Sequence, residues 1–409
     1  MPNDPLLSKC ADFLHTLCVD IPGRNVGSEG NRRATRFFRD TVAAFGWQTE
    51  STELDVMNWS SDGALLQAGG RTFPARSSPY SRGCSVRAPL VFASSLAELD
   101  PLDAGGKILV LHGEIAQEQL MPKNFVFYNP DEHRQIIARL EQQQPAAIVS
   151  ITGRNAALAG GLYPFPLFED GDFDIPSVFL SEEEGNGLLS LARQTAALES
   201  RAVRIPSKAF NVVVRKGNPD APRIVLTAHI DAKLGTPGAI DNATGVAVLL
   251  LLAERLRDYA GPYALEMAAF NGEDYYAVPG QMDYLRQNQG RFGSIALNIN
   301  IDGAGYRNGP SAFSFFDIPE PMQAAARRML ETFDDTAEGP LWPQGDHSIF
   351  VQQGCPALAV SSLWLLQHMD SQDITHTPKD NLDIVDPRKV AAIAEALDWF
   401  LHALTHGST

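Results

Sequence analysis

The sequence predicts an α/β fold in two parts: a three-layer domain with a mixed, mainly parallel sheet and helices on both faces, and a small β-rich domain inserted into it. Three observations carry this expectation. At 409 residues the chain exceeds the roughly 100–200 residues that one domain usually holds. From Ala209 onward, apolar runs of strand length alternate with helical patterns, as a sheet buried on both faces requires. Between about residues 59 and 204 the runs are shorter and are separated by Gly and Pro. The implied boundaries are 1–58 with 205–409 for the larger domain and 59–204 for the insertion.

Residues 31–46 predict an amphipathic helix with Phe37, Phe38, Val42 and Phe45 on one face and Gly46 as its stop. TESTELDVM follows as a strand. In the insertion, KILVLHG, AAIVSITG and IPSVFLS read as short strands, and EEEGNGLLSLARQ reads as a helix. The loop from Gly160 to Phe173, rich in Gly, Pro and Phe, is long enough to carry recognition. Its acids Glu169, Asp170, Asp172 and Asp174 lack the full spacing of a calcium loop and read as a solvated turn. Beyond the insertion, NVVVRKG, RIVLTAH, ALEMAAF, IALNINI and PALAVSS are the strands. The helices between and after them include Thr244 to Tyr259 and a last one starting at Pro387.

The net charge of -16 argues against a nucleic-acid partner, whose binding rests on Lys and Arg displacing phosphate counterions. An acidic surface favours approach of a cationic group such as a peptide α-ammonium, although solubility is the simpler reason for it. No run is long enough to span a bilayer, and the first residues lack a secretory pattern. Cys10, Cys18, Cys84 and Cys355 show no CxxC spacing. The expectation is a chain without a membrane partner, located in the cytoplasm.

Residues of metal-binding type recur through the second half: His229 and Asp231 in TAHID, Asp241 in GAIDNATG, Glu273 and Asp274 in FNGED, Asp302 in NINIDG and His376 in THTPKDN. Any one of them is most simply a capping Asp or a polar core His. Several, however, come just after a β-run, where open α/β sheets place their ligand crevices. One His and several carboxylates per ion suit a pair of zinc ions that share a carboxylate. The joint pattern points to a dinuclear hydrolase.

The stretches VLTAHIDAKLGTPGAIDNATGVAVLLLLAERL, AAFNGEDYYAVPGQMDYL, ALNINIDGAGY, GDHSIFVQQGCPALAVSS and THTPKDNLDIVD resemble the M28 zinc aminopeptidases, whose relatives include glutamate carboxypeptidases and glutaminyl cyclases. PGRNVGSEGNRRATRFF resembles the N-terminal signature of that family, and GGKILVLHG, PAAIVSI and IPSVFLS resemble a protease-associated domain inserted in it. The resemblance implies a peptide substrate and two Zn2+ per chain, one held by His229, Asp241 and Asp302, the other by Asp241, Asp274 and His376. It makes Asp231 the carboxylate that orients a ligating imidazole and Glu273 the general base. It also implies a cis bond between Asp241 and Asn242.

There are departures from the family pattern. Asp274 stands where many relatives have Glu, and Thr375 where many have Tyr. Asp346 and His347 lie in GDH where the family has SDH, and are expected to line the cleft and contact substrate. Trp364, in an apolar loop before His376, reads equally as core packing or as a specificity pocket. An aminopeptidase is the family-level expectation. The alternatives are a carboxypeptidase or dipeptidase, disfavoured by the lack of an Arg cluster in the catalytic segments, and a non-catalytic binding module with the same fold, disfavoured by the intact ligand set and Glu273.

Overall fold

The computed structural model describes residues 5–21, 23–153 and 166–405. Residues 160–165 of the loop expected to carry recognition lie outside the described residues. The chain divides into two compact units, Met1–Val56 with Lys208–Thr409, and Met57–Ser207. Two long strands, Gln48–Ala68 and Thr195–Lys216, run along the chain through the boundaries between them.

In the first unit, Arg223–His229, Ala264–Phe270, Ile295–Ile301 and Ala357–Ser362 are parallel neighbours in the spatial order 264, 223, 295, 357. They read as apolar runs because both faces are covered. Residues 212–216 add an antiparallel strand beside Ala264–Phe270, and Ser311–Phe316 adds one beside Ala357–Ser362. The sheet is therefore mixed and mainly parallel. Thr336–Glu338 closes the second edge. These last two strands were not foreseen: SAFSFF is short and lies where the alternation predicts only a helix.

Strand alternation sorts the two faces. Ile224, Leu226 and Ala228 join Leu297, Ile299 and Ile301 in a core sealed by the helices Pro5–His15, Glu29–Ala44, Thr244–Arg255 and Pro387–Ala403. Glu29–Ala44 contributes Ala34, Phe38 and Val42 to that core and is capped by Ser28, whose side chain accepts the Asn31 N–H. Residues Thr244 to Ala253 are buried all round, so that helix is apolar on every face. It ends at Arg255, short of the expected Tyr259. On the other face Thr227, Asn298 and Asn300 hydrogen-bond to one another at 2.7 and 3.2 Å. Beyond them Phe270, Tyr284, Phe292 and Phe350 pack ring on ring, with Tyr284 from the helix Pro279–Gln287 and Phe350 from His347–Val351.

The second unit is also built on parallel pairing. Cys84–Ala93, Ile108–Leu111, Ala147–Thr152 and Ser177–Ser181 run side by side, with apolar clusters on both sides and the helix Asp131–Gln143 packing through Ile136, Ile137 and Leu140. Two expectations fail here. EEEGNGLLSLARQ is only a four-residue α-helix, Glu182–Gly185, followed by the 3-10 turn Asn186–Leu191. Its glycines lower helix propensity, and Gly185 sits so close to Ile151 that a Cβ would meet Cγ1 at 2.7 Å. The acidic stretch is a solvated turn only at Asp172 and Asp174, which are exposed. Glu169 and Asp170 are buried, and Asp170 accepts the amides of Lys123 and Asp172, both at 2.7 Å.

The parallel register aligns Phe270 with His229 and Ile301 with Val360, so three strand ends open at one edge of the sheet. The helix starting at Thr244 is pressed against that edge. A Cβ on Gly245 would lie 2.4 Å from both the Ile301 carbonyl and Asn242 Oδ1. Gly245→Ala is therefore expected to destabilise the metal-free protein by about 1–3 kcal/mol through overpacking, read as a lowered thermal midpoint.

Candidate metal centre

Each side chain of the site is delivered by the end of an element. His229 is the last residue of its strand; Asp302 follows Ile301, with its N–H bonded to Val360 O at 2.9 Å in continuation of the ladder. Asp241 lies in a non-helical turn before the helix at Thr244, and the Asp241–Asn242 peptide bond is cis. Asp274 follows a turn at Gly272, whose φ of +122° suits glycine. His376 itself adopts φ +62°, a left-handed state that costs a non-glycine residue energy and persists where the surrounding loop over-determines it.

These five residues converge. Asp241 Oδ1 lies 3.1 Å from His229 Nε2, and its Oδ2 lies 3.2 Å from His376 Nε2. Asp302 Oδ1 is 3.7 Å from His229 Nε2, and Asp274 Oδ1 is 3.2 Å from His376 Nε2. One donor atom each from His229, Asp241 and Asp274 falls within 4.8 Å of the others. A site with one His and one terminal carboxylate on either side of a shared carboxylate results.

The donor set fits a cation on physical grounds. His229 is 1% exposed, yet neither of its ring nitrogens makes a hydrogen bond, and Asp274 Oδ2 is likewise buried and unpartnered. Buried polar atoms without partners cost free energy. A cation facing Nε2 and the carboxylate oxygens would give His229 Nε2 and the Asp274 carboxylate a partner, while Nδ1 faces Asp231 at 3.7 Å.

Asp231 acts differently from the expected imidazole support. Its Oδ1 is 3.7 Å from His229 Nδ1, too long for a hydrogen bond. Its oxygens instead accept the backbone N–H groups of Gly272, Glu273 and Asp274 at 2.7, 3.2 and 3.0 Å. The carboxylate thus fixes the turn that carries Glu273 and Asp274.

Among the expected substrate contacts, Asp346 is buried and accepts from Gln281 Nε2 at 2.7 Å, leaving Oδ2 without a partner. His347 is equally buried: its Nε2 is 2.9 Å from Trp342 O, and its ring is flanked by Phe316 and Trp342. Trp364 stacks on Tyr306 and His368 and packs against the main core. Thr375 uses its hydroxyl to accept from Gln372 at 2.6 Å. Sequence reasoning missed Asp380 and Arg24. Asp380 lies inside the THTPKDN stretch, but only its distant partners give it a role.

Charge crowding shows in the ionisation of the site. Burial raises the Glu273 carboxyl well above the usual range, and Asp274, Asp302 and Asp346 add to the shift. Burial likewise raises Asp302, and pushes Asp346 up to about 7. For His376 burial opposes the charged form, but Asp274 and Asp241 outweigh it and lift the imidazole to about 10. His229 is also raised, against burial, chiefly by Asp302.

Residues 211–400 match peptidase family M28. That match covers just under half of the 409-residue chain. The probable lipoprotein aminopeptidase LpqL of Mycobacterium tuberculosis is 23% identical over 291 residues, covering 68% of this chain and 54% of its own length. Leucine aminopeptidase 2 of Trichophyton rubrum is 23% identical, covering 82% of this chain and 67% of its own. The chain thus spans about half to two thirds of these curated relatives. The solved zinc aminopeptidase BSAP of Bacillus subtilis superposes with a TM-score of 0.72 at 17% identity, over 97% of this chain and 94% of that one, a likeness of fold. The matched M28 segment holds all five converging residues and Glu273.

Lifted to about 10, the His376 imidazole is protonated at neutral pH without metal, so a cation must displace its proton. Zinc titrated into metal-free protein near pH 7 should release protons, measured calorimetrically in buffers of different ionisation enthalpy, and affinity should rise with pH towards about 10. The sign for the metal-free fold is the reverse. The ion cluster of His376 stabilises below its unfolded value of 6.5 and that support is lost as pH rises through about 10.

Proposed function

We propose that the chain is a metal-dependent aminopeptidase that removes N-terminal residues from peptides, using two zinc ions. The observation that carries this reading is Asp241, whose two oxygens face two histidines at 3.1 and 3.2 Å. His229, Asp241 and Asp302 would hold one ion, and Asp241, Asp274 and His376 the other. Bound there, zinc supplies Lewis acidity that polarises a peptide carbonyl and makes a water molecule more acidic. The names of the aligned relatives support the aminopeptidase class, and the M28 match supports a peptide substrate.

Glu273 is the general base in this reading. Its crowded, partly buried carboxylate is more basic than a free one, so it can take a proton from the attacking water and give it to the leaving amine nitrogen. Asp231 keeps Glu273 and Asp274 in register by binding their backbone amides. Asp346 and His347 adjoin Gly345, where a Cβ would lie 3.3 Å from Asp302 Oδ2, and would shape the wall beside the scissile bond. Residues 57–207 would be the protease-associated insertion.

Glu273→Gln should retain metal and lose about 100- to 10,000-fold in turnover of aminoacyl arylamides, because the amide cannot accept a proton. Asp241→Ala should lose metal outright, seen by elemental analysis. Near-normal turnover in the first variant removes Glu273 from the role, and full metal content in the second removes the shared-carboxylate reading.

A further inference from the structure

Asp241 joins the two half-sites, yet its backbone belongs to no strand or regular helix: Asp241 has φ −124° and ψ 78°, and Asn242 φ −141° and ψ 44°. The polar groups of residues 237–241 must therefore find partners elsewhere. The guanidinium of buried Arg24 takes the carbonyls of Pro237 and Gly238 at 2.8 and 2.7 Å. It is anchored in turn on Leu17 O at 2.7 Å and Ile230 O at 3.1 Å. Asp380 takes the amides. Its main-chain carbonyl accepts from Ala239 at 3.3 Å, its Oδ1 from Ile240 at 2.7 Å and its Oδ2 from Asp241 at 3.1 Å.

Asp380 is wholly buried and lies four residues beyond His376. Its own N–H bonds to Thr377 O, which also accepts the Thr236 hydroxyl at 2.8 Å. A buried anion is costly unless it is hydrogen-bonded and compensated. Burial and the neighbouring Asp241 raise the Asp380 carboxyl to about 7, and the two backbone amides, with the Arg24 guanidinium across the same segment, oppose that rise.

We propose that Asp380 is a positioning residue for the metal centre: its carboxylate fixes the backbone of Asp241, so that one side chain spans both half-sites, and ties that loop to the one bearing His376. The inference rests on the metal-centre reading above. Asn at this position would keep the volume but turn an NH2 towards a backbone N–H, donor against donor.

The test compares D380N with Thr236→Val in the full chain. T236V removes another bond between the same two loops, together with the 3.0 Å bond from Gly238 N–H to the same hydroxyl, and leaves the Ile240 and Asp241 amides on the Asp380 carboxylate. Zinc affinity is read by competition with a chromogenic chelator, ligand geometry by the absorption spectrum of the cobalt-loaded protein, and folding by circular dichroism. D380N should stay folded, lose about 10- to 100-fold in zinc affinity and shift the cobalt bands, while T236V stays near wild type. Wild-type affinity in D380N overturns the proposal, as does an equal loss in both variants. Should D380N not fold, amide exchange of residues 239–242 in metal-free wild type decides: protection supports a clamp that precedes metal, and exchange as fast as in a free peptide overturns it. If wild type takes up neither zinc nor cobalt, the metal-centre reading itself falls and this inference with it, an outcome distinct from a loss confined to D380N.

Discussion

One half-buried carboxylate, Asp241, carries the constraint on which the site depends. Its two oxygens face His229 on one side and His376 on the other, and those histidines lie far apart in the sequence. Such a contact forms only if the strand ending at His229 and the loop bearing His376 are brought to one edge of the sheet. The parallel register achieves this for His229, Glu273, Asp274 and Asp302 at once, because neighbouring parallel strands end at the same edge. The fully apolar helix behind Asp241 and the close approach at Gly245 then hold that edge against the core.

Much of this was legible in the sequence for an identifiable reason. RIVLTAH, ALEMAAF and IALNINI are solid apolar runs, which strands buried on both faces need, and their polar endings are the site residues. Ser311–Phe316 escaped because a short run next to an edge lacks that contrast, and the pairing that makes it a strand comes from Ala357–Ser362. Periodicity also overran at EEEGNGLLSLARQ, where Gly185 and Gly187 lower helix propensity and the α-helix gives way to the 3-10 turn Asn186–Leu191. Asp170 was misread because acidic clusters are usually solvated; here backbone amides of Lys123 and Asp172 take up its charge.

The clamps around the metal ligands were not legible, and the physical cause is common to all of them. Asp231, Asp380 and Arg24 act on backbone N–H and C=O groups, which every residue possesses and which leave no mark in the sequence. Arg24 reaches carbonyls more than 200 positions away at Ile230, Pro237 and Gly238. Asp231, adjacent to a His in the sequence, suggested an imidazole contact, but the turn at Gly272 presents three amides that bind an anion better than one ring nitrogen at 3.7 Å.

Charge balance separates a metal centre from a mere cluster of ion pairs. Asp241, Asp274, Asp302, Glu273 and Asp346 crowd around two imidazoles, and without added cations the structure resolves the excess negative charge by raising Glu273, Asp302 and Asp346 while keeping both histidines charged. A purely structural ion-pair site would not need so many acids, since each beyond the second adds repulsion and desolvation cost. Divalent cations reverse that logic: they favour the ionised carboxylates, release the imidazole protons and give His229 Nε2 something to bind. Asp231 and Asp380 differ from these acids in that their oxygens accept backbone amides, although burial and Asp241 still raise the Asp380 carboxyl to about 7. The acids thus divide by partner: those bonded to backbone hold the loops still, and those facing the imidazoles keep oxygens that a cation can take up.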